Sequence, residues 1–229
     1  MSLKDYIKSK SSQRQLALLR AGKSFIRDRI DPYPYRRYTS RHKCIFIHIP
    51  KVAGTSILRA LGHNGSRDHA TYREYKVANS SKFEKYFKFT FVRNPVTRFE
   101  SAFRYYKSGG NQRSTDEYFF NIINQYKMSA DDFCEFIADK QHYIYTPMFW
   151  PQTLYFLEVG ESCQVDFIGR FESIGEDFNS VLTKLGVKGK LERINQSGSD
   201  ISGKVVLSKN SESIIRDIYQ HDYEFLNYE

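Results

Sequence analysis

At 229 residues, with 40% hydrophobic and 27% charged content, the chain has the makeup of one soluble globular domain that buries roughly 70–75% of its extended surface. No apolar run approaches the ~20 residues that span a bilayer, and the start, Met1–Tyr6, lacks the apolar stretch of a signal peptide, so a cytoplasmic protein is expected. The net charge of +9 is confined to residues 1–43, which hold 12 Lys/Arg against 3 Asp/Glu; residues 44–229 balance at 23 and 23, which argues against a nucleic-acid-binding main domain.

Residues 1–42 read as a basic arm and 43–229 as the main domain. Within the arm, 13–30 has helical spacing of Leu16, Leu19, Ile26 and Ile30, interrupted by Lys23 and weakened by Gly22. It suits either peripheral contact with an anionic membrane or docking on the chain's own domain. Asp31-Pro32-Tyr33-Pro34 stops it, and Arg36–Arg41 reads as a linker. Cys44–Ile49 is an apolar run closed by Pro50, as a buried parallel strand would be, and a helix over Ser56–Leu61 ends at Gly62. The unit recurs: Tyr86–Val92 is a strand, and Asn94-Pro95 starts a helix, with Asn as N-cap and Pro at its first position, running to about Tyr106. Ser129 caps a helix through Asp139, and Val165–Gly169 is a third strand. Ser173 and Glu176 have capping-box spacing for a helix ending at Gly186, and a last helix covers about Ser211–Tyr219. Strand–loop–helix units of this kind predict an α/β fold, a parallel sheet flanked by helices. The 17 Tyr and 18 Phe predict a core built largely of aromatic rings. Cys44, Cys134 and Cys163 are scattered singly without zinc spacing, so no metal is expected; a Cys134–Cys163 bridge stays open.

Two segments look built for anions. In Pro50-Lys51-Val52-Ala53-Gly54-Thr55-Ser56, between a strand and a helix, unpartnered amides of a helix start favour a phosphate, Gly54 allows close approach, and Lys51, Thr55 and Ser56 add a cation and hydroxyls. It is not a Walker A loop, because Thr55 rather than lysine follows Gly54. In Arg93-Asn94-Pro95-Val96-Thr97-Arg98-Phe99-Glu100-Ser101, Arg93 stands at the carboxyl end of its strand, where open α/β sheets bind ligands. Arg98, Ser101 and Tyr105 share a helix face at i, i+3, i+7, so a guanidinium and a hydroxyl should converge on a phosphate monoester. Each segment also has a plainer reading, as a tight turn with a surface lysine and as solvated surface arginine.

Together these motifs resemble the membrane-sulfotransferase type of family, which includes the carbohydrate sulfotransferases of the Golgi and their bacterial relatives. There P-K-x-x-G-T-S is the 5′-phosphosulfate loop and R-[ND]-P-x-x-R-x-x-S the 3′-phosphate motif. The resemblance extends through Asp68–Thr71, Pro151-Gln152, Asp166–Glu172 and Ile194–Ser197, and so covers roughly 43–229. It implies a P-loop-like nucleotide-binding fold and in-line transfer of a sulfuryl group from 3′-phosphoadenosine 5′-phosphosulfate (PAPS) to a hydroxyl, leaving 3′-phosphoadenosine 5′-phosphate (PAP), without a metal. Lys51 and the 52–56 amides would meet the phosphosulfate, Arg93 and Ser101 the 3′-phosphate, and Asn195 and Ser197 would reach the nucleotide from a covering loop.

A base must take the acceptor proton. His69 is the first candidate, since an imidazole titrates near neutral pH, with Asp68 and Glu74 as rivals; His48, inside an apolar strand, reads as a core residue. Arg170 and Glu172 either orient site residues or sit on the surface. Tyr72, Arg73, Tyr105, Tyr106 and Trp150 either line an acceptor cleft or belong to the core. A saccharide or glycolipid is the expected acceptor, by fold-level analogy. The competing reading is a P-loop-type kinase, disfavoured by the lysine placement.

Overall fold

The computed structural model describes residues 31–65, 68–158, 160, 162–189, 191 and 205–229. The basic segment 13–30 and Asn195 and Ser197 lie outside the described residues. Three short parallel strands, β1 (Cys44–Ile47), β2 (Phe87–Val92) and β3 (Phe167–Arg170), form one sheet in the order β1-β2-β3. Phe46 pairs with Phe89, and Phe89 with Phe167, so the register lines up phenylalanines across the sheet. β1 is an unbroken apolar run, as suits a parallel strand covered on both faces, whereas β2 interposes Lys88 and Thr90 between its phenylalanines. All four residues of β1 are buried.

The first helix packs against β1, an edge strand of the sheet. α1 (Arg37–His42) occupies the stretch read as a linker. Tyr35 and Tyr38, on the arm side of the expected boundary at 42/43, are 1% and 4% exposed and belong to the main core. Tyr35 donates its hydroxyl to the carbonyls of Tyr75 and Asn79, both at 3.0 Å, which ties this stretch to α3 (Tyr72–Ala78). α2 (Gly54–Ala60) starts two residues earlier than the sequence suggests, and the left-handed Gly62 follows it. α4 (Ser80–Lys85) then leads into β2.

After β2 comes a second, helical core. α5 (Pro95–Lys107) begins as expected, with Asn94 Oδ1 accepting from the amides of Val96 and Thr97. α6 (Ser114–Gln125), for which the sequence pattern gave no signal, packs beside α5 and α7 (Ala130–Asp139). A one-turn helix α8 (His142–Tyr145) and two 3-10 turns, Pro147–Phe149 and Gln152–Tyr155, lead back towards the sheet. Phe99, Phe103, Tyr106, Phe119, Phe133 and Phe149 form the heart of this core, with ring centroids about 5–6 Å apart. Such pairs contribute about 0.5–1.5 kcal/mol each beyond the area they bury.

α9 (Ile174–Leu185) follows β3, closed by the left-handed Gly186 as expected. The capping box read at Ser173 and Glu176 is not formed: the Ser173 hydroxyl donates instead to Asp177 Oδ2 at 2.8 Å, and that carboxylate also accepts the Arg170 amide. The last predicted helix is α10 (Lys209–Ile218), and a further helix, α11 (Gln220–Leu226), turns back beneath the site. All three cysteines are free thiols, Cys134 buried and Cys163 exposed, so the bridge left open by the sequence is absent. Among the described residues no helix is long and apolar enough to cross a membrane.

Candidate functional site

The carboxyl ends of all three strands meet one cavity of about 780 Å³. β1 contributes His48, Lys51, Ala53, Gly54 and Thr55 just past its end; Arg93 follows β2; Phe171 follows β3. The opposite wall is helical, with Ser101, Arg104 and Tyr105 from α5 and Arg113 and Asp116 from the start of α6. The two segments singled out in the sequence, far apart along the chain, thus face the same space.

The first loop owes its shape to its backbone. Lys51 and Ala53 both take left-handed φ values, 70° and 62°, while Val52 between them does not. Such alternation turns successive amides towards one side, forming a concavity that suits an anion, and holding two non-glycine residues there costs on the order of 1–3 kcal/mol each. Gly54 is fixed by sterics: a Cβ there would fall 1.8 Å from His48 Nε2. Two members of the expected set stand back from the cavity. Val52 is fully buried, and Ser56 is 5% exposed, with its amide donating to the Ala53 carbonyl at 3.0 Å, so that N–H is spent on the turn. The Lys51 ammonium lies 4.5 Å above the Tyr105 ring.

The second segment is held by side chains. Arg93 donates through Nε to Thr97 Oγ1 at 3.0 Å and through Nη1 to the Lys51 carbonyl at 3.3 Å, and its guanidinium stacks 4.1 Å over Phe171. Burial, and then the neighbouring Arg104, lower its pKa to about 10, so the cation persists at neutral pH but is poorly solvated. A cation in that condition is where an arriving anion gains most. Ser101, 8% exposed, lines the cavity beside it.

Arg98 departs from expectation. It is 2% exposed and does not line the cavity; its two terminal nitrogens donate to the carbonyls of Met148 and Trp150 at 3.3 and 2.8 Å, and its guanidinium lies 5.1 Å over Tyr219. The helix-face argument failed because the face is not uniform along α5. In its first turn Arg98 is taken up by the carbonyls of Met148 and Trp150, and the face opens on the cavity from Ser101 onward.

Of the three candidate bases, only His69 lines the cavity. Its Nδ1 is 3.0 Å from the His48 carbonyl, and since a carbonyl only accepts, Nδ1 is the donor of that bond, which makes Nε2 the acceptor nitrogen of the neutral ring. Asp68 is engaged by Arg36, and Glu74 accepts from the amide and hydroxyl of Thr71 at 2.7 and 3.1 Å as an α3 cap. His48, read as a core residue, is 7% exposed and yet borders the cavity, its ring centroid 4.4 Å from that of His69.

Among the residues suggested for an acceptor cleft, Tyr105 and Tyr106 line the cavity. Tyr72 is buried in the core, Arg73 donates to the Tyr72 hydroxyl, and the Trp150 indole donates to the Ile144 carbonyl. Tyr105 donates its hydroxyl to Asp116 Oδ2 at 2.9 Å, and burial followed by that bond pushes its pKa up to about 12. The Gly109-Gly110 turn, with φ of 82° and 57°, brings Asn111 back so that its amide also donates to Asp116. Arg104, Arg113, Asp116 and Phe171 are wall residues the sequence reading did not select. Arg104 was within reach of it, lying three residues beyond Ser101 on the same helix face.

Three comparisons bear on this arrangement. The model of a family described as the sulfotransferase family matches residues 36–229. Carbohydrate sulfotransferase 9 of Homo sapiens is 24% identical over 82% of this chain and 52% of its own length. Carbohydrate sulfotransferase 11 of Rattus norvegicus is 23% identical over 82% of this chain and 65% of its own, so the chain spans between about half and two thirds of these relatives. An uncharacterized protein of Archaeoglobus fulgidus is 31% identical over 54% of this chain and 88% of its own length. No solved structure matches.

Proposed function

The chain belongs to the sulfotransferase family, and on that premise we propose that it transfers a sulfuryl group from PAPS to a hydroxyl of a saccharide or glycolipid acceptor. The observation that carries this reading is the single cavity bordered by Lys51, Gly54 and Thr55, by Arg93 and Ser101, and by His69. Lys51 and the amides of the left-handed loop suit the 5′-phosphosulfate, and Arg93 with Ser101 suits the 3′-phosphate. The names of the human and rat relatives support a carbohydrate acceptor.

In this scheme the acceptor oxygen bonds to sulfur while the bond from sulfur to the bridging oxygen of the 5′-phosphate breaks, releasing PAP. Charge grows on that bridging oxygen, where Lys51 and the loop amides act as preset donors. His69 Nε2 takes the acceptor proton, its ring oriented by the His48 carbonyl. Alignment and charge stabilisation supply most of the acceleration, as in phosphoryl transfer.

Isothermal titration with PAP, ADP and ATP tests the donor. PAP should bind tightest without added metal; preference for ATP with Mg²⁺ would sink the reading in favour of a kinase. Replacing the base, His69→Ala, should lower kcat by about 10²–10⁴-fold with PAP affinity nearly unchanged. Retained turnover would hand the proton to another group.

A further inference from the structure

The turn that carries Arg93 is gripped from behind by two side chains, and both are anchored in the last ten residues of the chain. Gln152, fully buried, pairs with Arg93 in the manner of a neighbouring strand: its Oε1 accepts from the Arg93 amide at 2.9 Å and its Nε2 donates to the Arg93 carbonyl at 2.8 Å. Behind Gln152 stands Asp222 of α11, also fully buried. Its carboxylate accepts from the amides of Gln152 and Thr153 at 2.8 and 3.0 Å, from the Thr153 hydroxyl at 2.9 Å and from Gln152 Nε2 at 3.3 Å. Next to Arg93, the Asn94 amide donates to Glu172 Oε1 at 2.8 Å, and the other oxygen of Glu172 accepts the Tyr228 hydroxyl at 3.1 Å.

Resting on the donor reading above, we propose that Gln152 and Glu172, anchored by Asp222 and Tyr228, are positioning residues that set the aim of the Arg93 guanidinium and thereby create the preference for a nucleotide bearing a 3′-phosphate. A buried carboxylate with four donors around it is well satisfied, and it fixes the orientation of the Gln152 amide, since Nε2 must face the acid. That orientation in turn presents Oε1 to the Arg93 amide. Consecutive amides, at 93 and 94, are thus held by two independent side-chain oxygens, which removes the freedom of the peptide between them. The guanidinium at the other end of Arg93 spans to the Lys51 carbonyl, so a shift of the turn would move it against the first loop. Misplacement of such a group by about 1 Å costs on the order of 10²-fold in a transfer reaction. None of the four residues lines the cavity, so their effect passes through Arg93.

The test uses the full chain and two nucleotides, PAP and adenosine 5′-phosphate, which differ by the 3′-phosphate alone. In Gln152→Met the side chain keeps its length and loses both bonds to Arg93. The dissociation constant for PAP should rise at least tenfold while that for adenosine 5′-phosphate stays within twofold. The exposed Glu172→Ala variant, which carries no buried group, should show the same selective loss at about threefold, and Glu172→Gln, which keeps an oxygen for Asn94, should recover it. Should Gln152→Met fail to fold, the two Glu172 variants still decide the matter. Equal weakening of both nucleotides, or unchanged preference in the folded variants, would overturn the positioning role. A wild-type chain that binds both nucleotides equally would instead remove the donor reading itself, so the two failures are told apart.

Discussion

The loop at 50–56 and the turn at 93–101 stand past the ends of adjacent parallel strands, yet opposite means shape them. Left-handed backbone at Lys51 and Ala53 and the tight contact of Gly54 with His48 form the first, all within nine residues of chain. Side chains delivered from residues 152, 172 and 222 hold the second. A site made of backbone fails when its conformation is disturbed, whatever charge remains nearby. A site made of side chains fails selectively, through the loss of whichever bond aimed the group. The two should therefore answer differently to substitution.

The largest effect on nucleotide binding is expected at Gly54. In Gly54→Ala the new methyl would press on the buried His48 ring, with Nε2 and Cδ2 at 1.8 and 2.0 Å, and the loop must open to admit it. Stability should fall by about 1–3 kcal/mol, as overpacked cores do. Affinity should drop for PAP and adenosine 5′-phosphate together, because the loop they would share is deformed; titration and thermal melting read the two effects. Adding His48→Ala should restore part of both, since it makes room while leaving the carbonyl that holds His69. Wild-type binding by Gly54→Ala would show that the backbone shape of the loop does not make the binding site.

Arg98→Met, whose effect should fall on stability alone, tests whether every arginine of the second motif belongs to the ligand. The substitution leaves the Met148 and Trp150 carbonyls without their donors, at about 1–3 kcal/mol for each orphaned group, and a melting temperature falls roughly 2–4 °C per kcal/mol in a chain of this size. The ratio of PAP to adenosine 5′-phosphate affinity should hold. A large loss of that ratio without a change in melting would place Arg98 back at the phosphate.

How far the sequence could be read follows the same division. Local signals were legible: the apolar runs of β1 and β2, Asn94-Pro95 opening α5, Ser129 capping α7, and Gly186 ending α9 each depend on neighbours a few residues away. The cavity-lining parts of the first loop were legible for that reason too. What stayed hidden depends on distant partners. Nothing local marks Asp222 as a buried acid gripping Gln152, or distinguishes Arg98, bonded to the Met148 and Trp150 carbonyls, from Ser101 on the cavity wall. The α1 stretch was misread because Arg36, Arg37 and Arg41 look like solvated linker, while its burial rests on Tyr35 and Tyr38 reaching the core. His48 was assigned to the core on the strength of its apolar strand. It is buried, and the strand end that buries it also borders the cavity, so the two readings describe one residue.

Ser101→Ala is the smallest change and the finest probe of the second segment. It deletes one hydroxyl from the wall beside Arg93 and leaves no large void, because the side chain is small and its helix position tolerates alanine. A hydroxyl donating to a charged phosphate contributes about 1.5–3 kcal/mol, and Arg93 remains to neutralise most of the charge, so the expected loss lies at the lower end. That corresponds to a roughly tenfold weaker PAP dissociation constant, with adenosine 5′-phosphate unaffected and the melting temperature within a degree or two. Combined with Glu172→Ala, the two losses should multiply if the hydroxyl and the guanidinium bind separate phosphate oxygens. They should fall short of multiplying if Arg93 must already be aimed before Ser101 can reach, and that cycle would measure how far the side-chain-built half of the site acts as a unit.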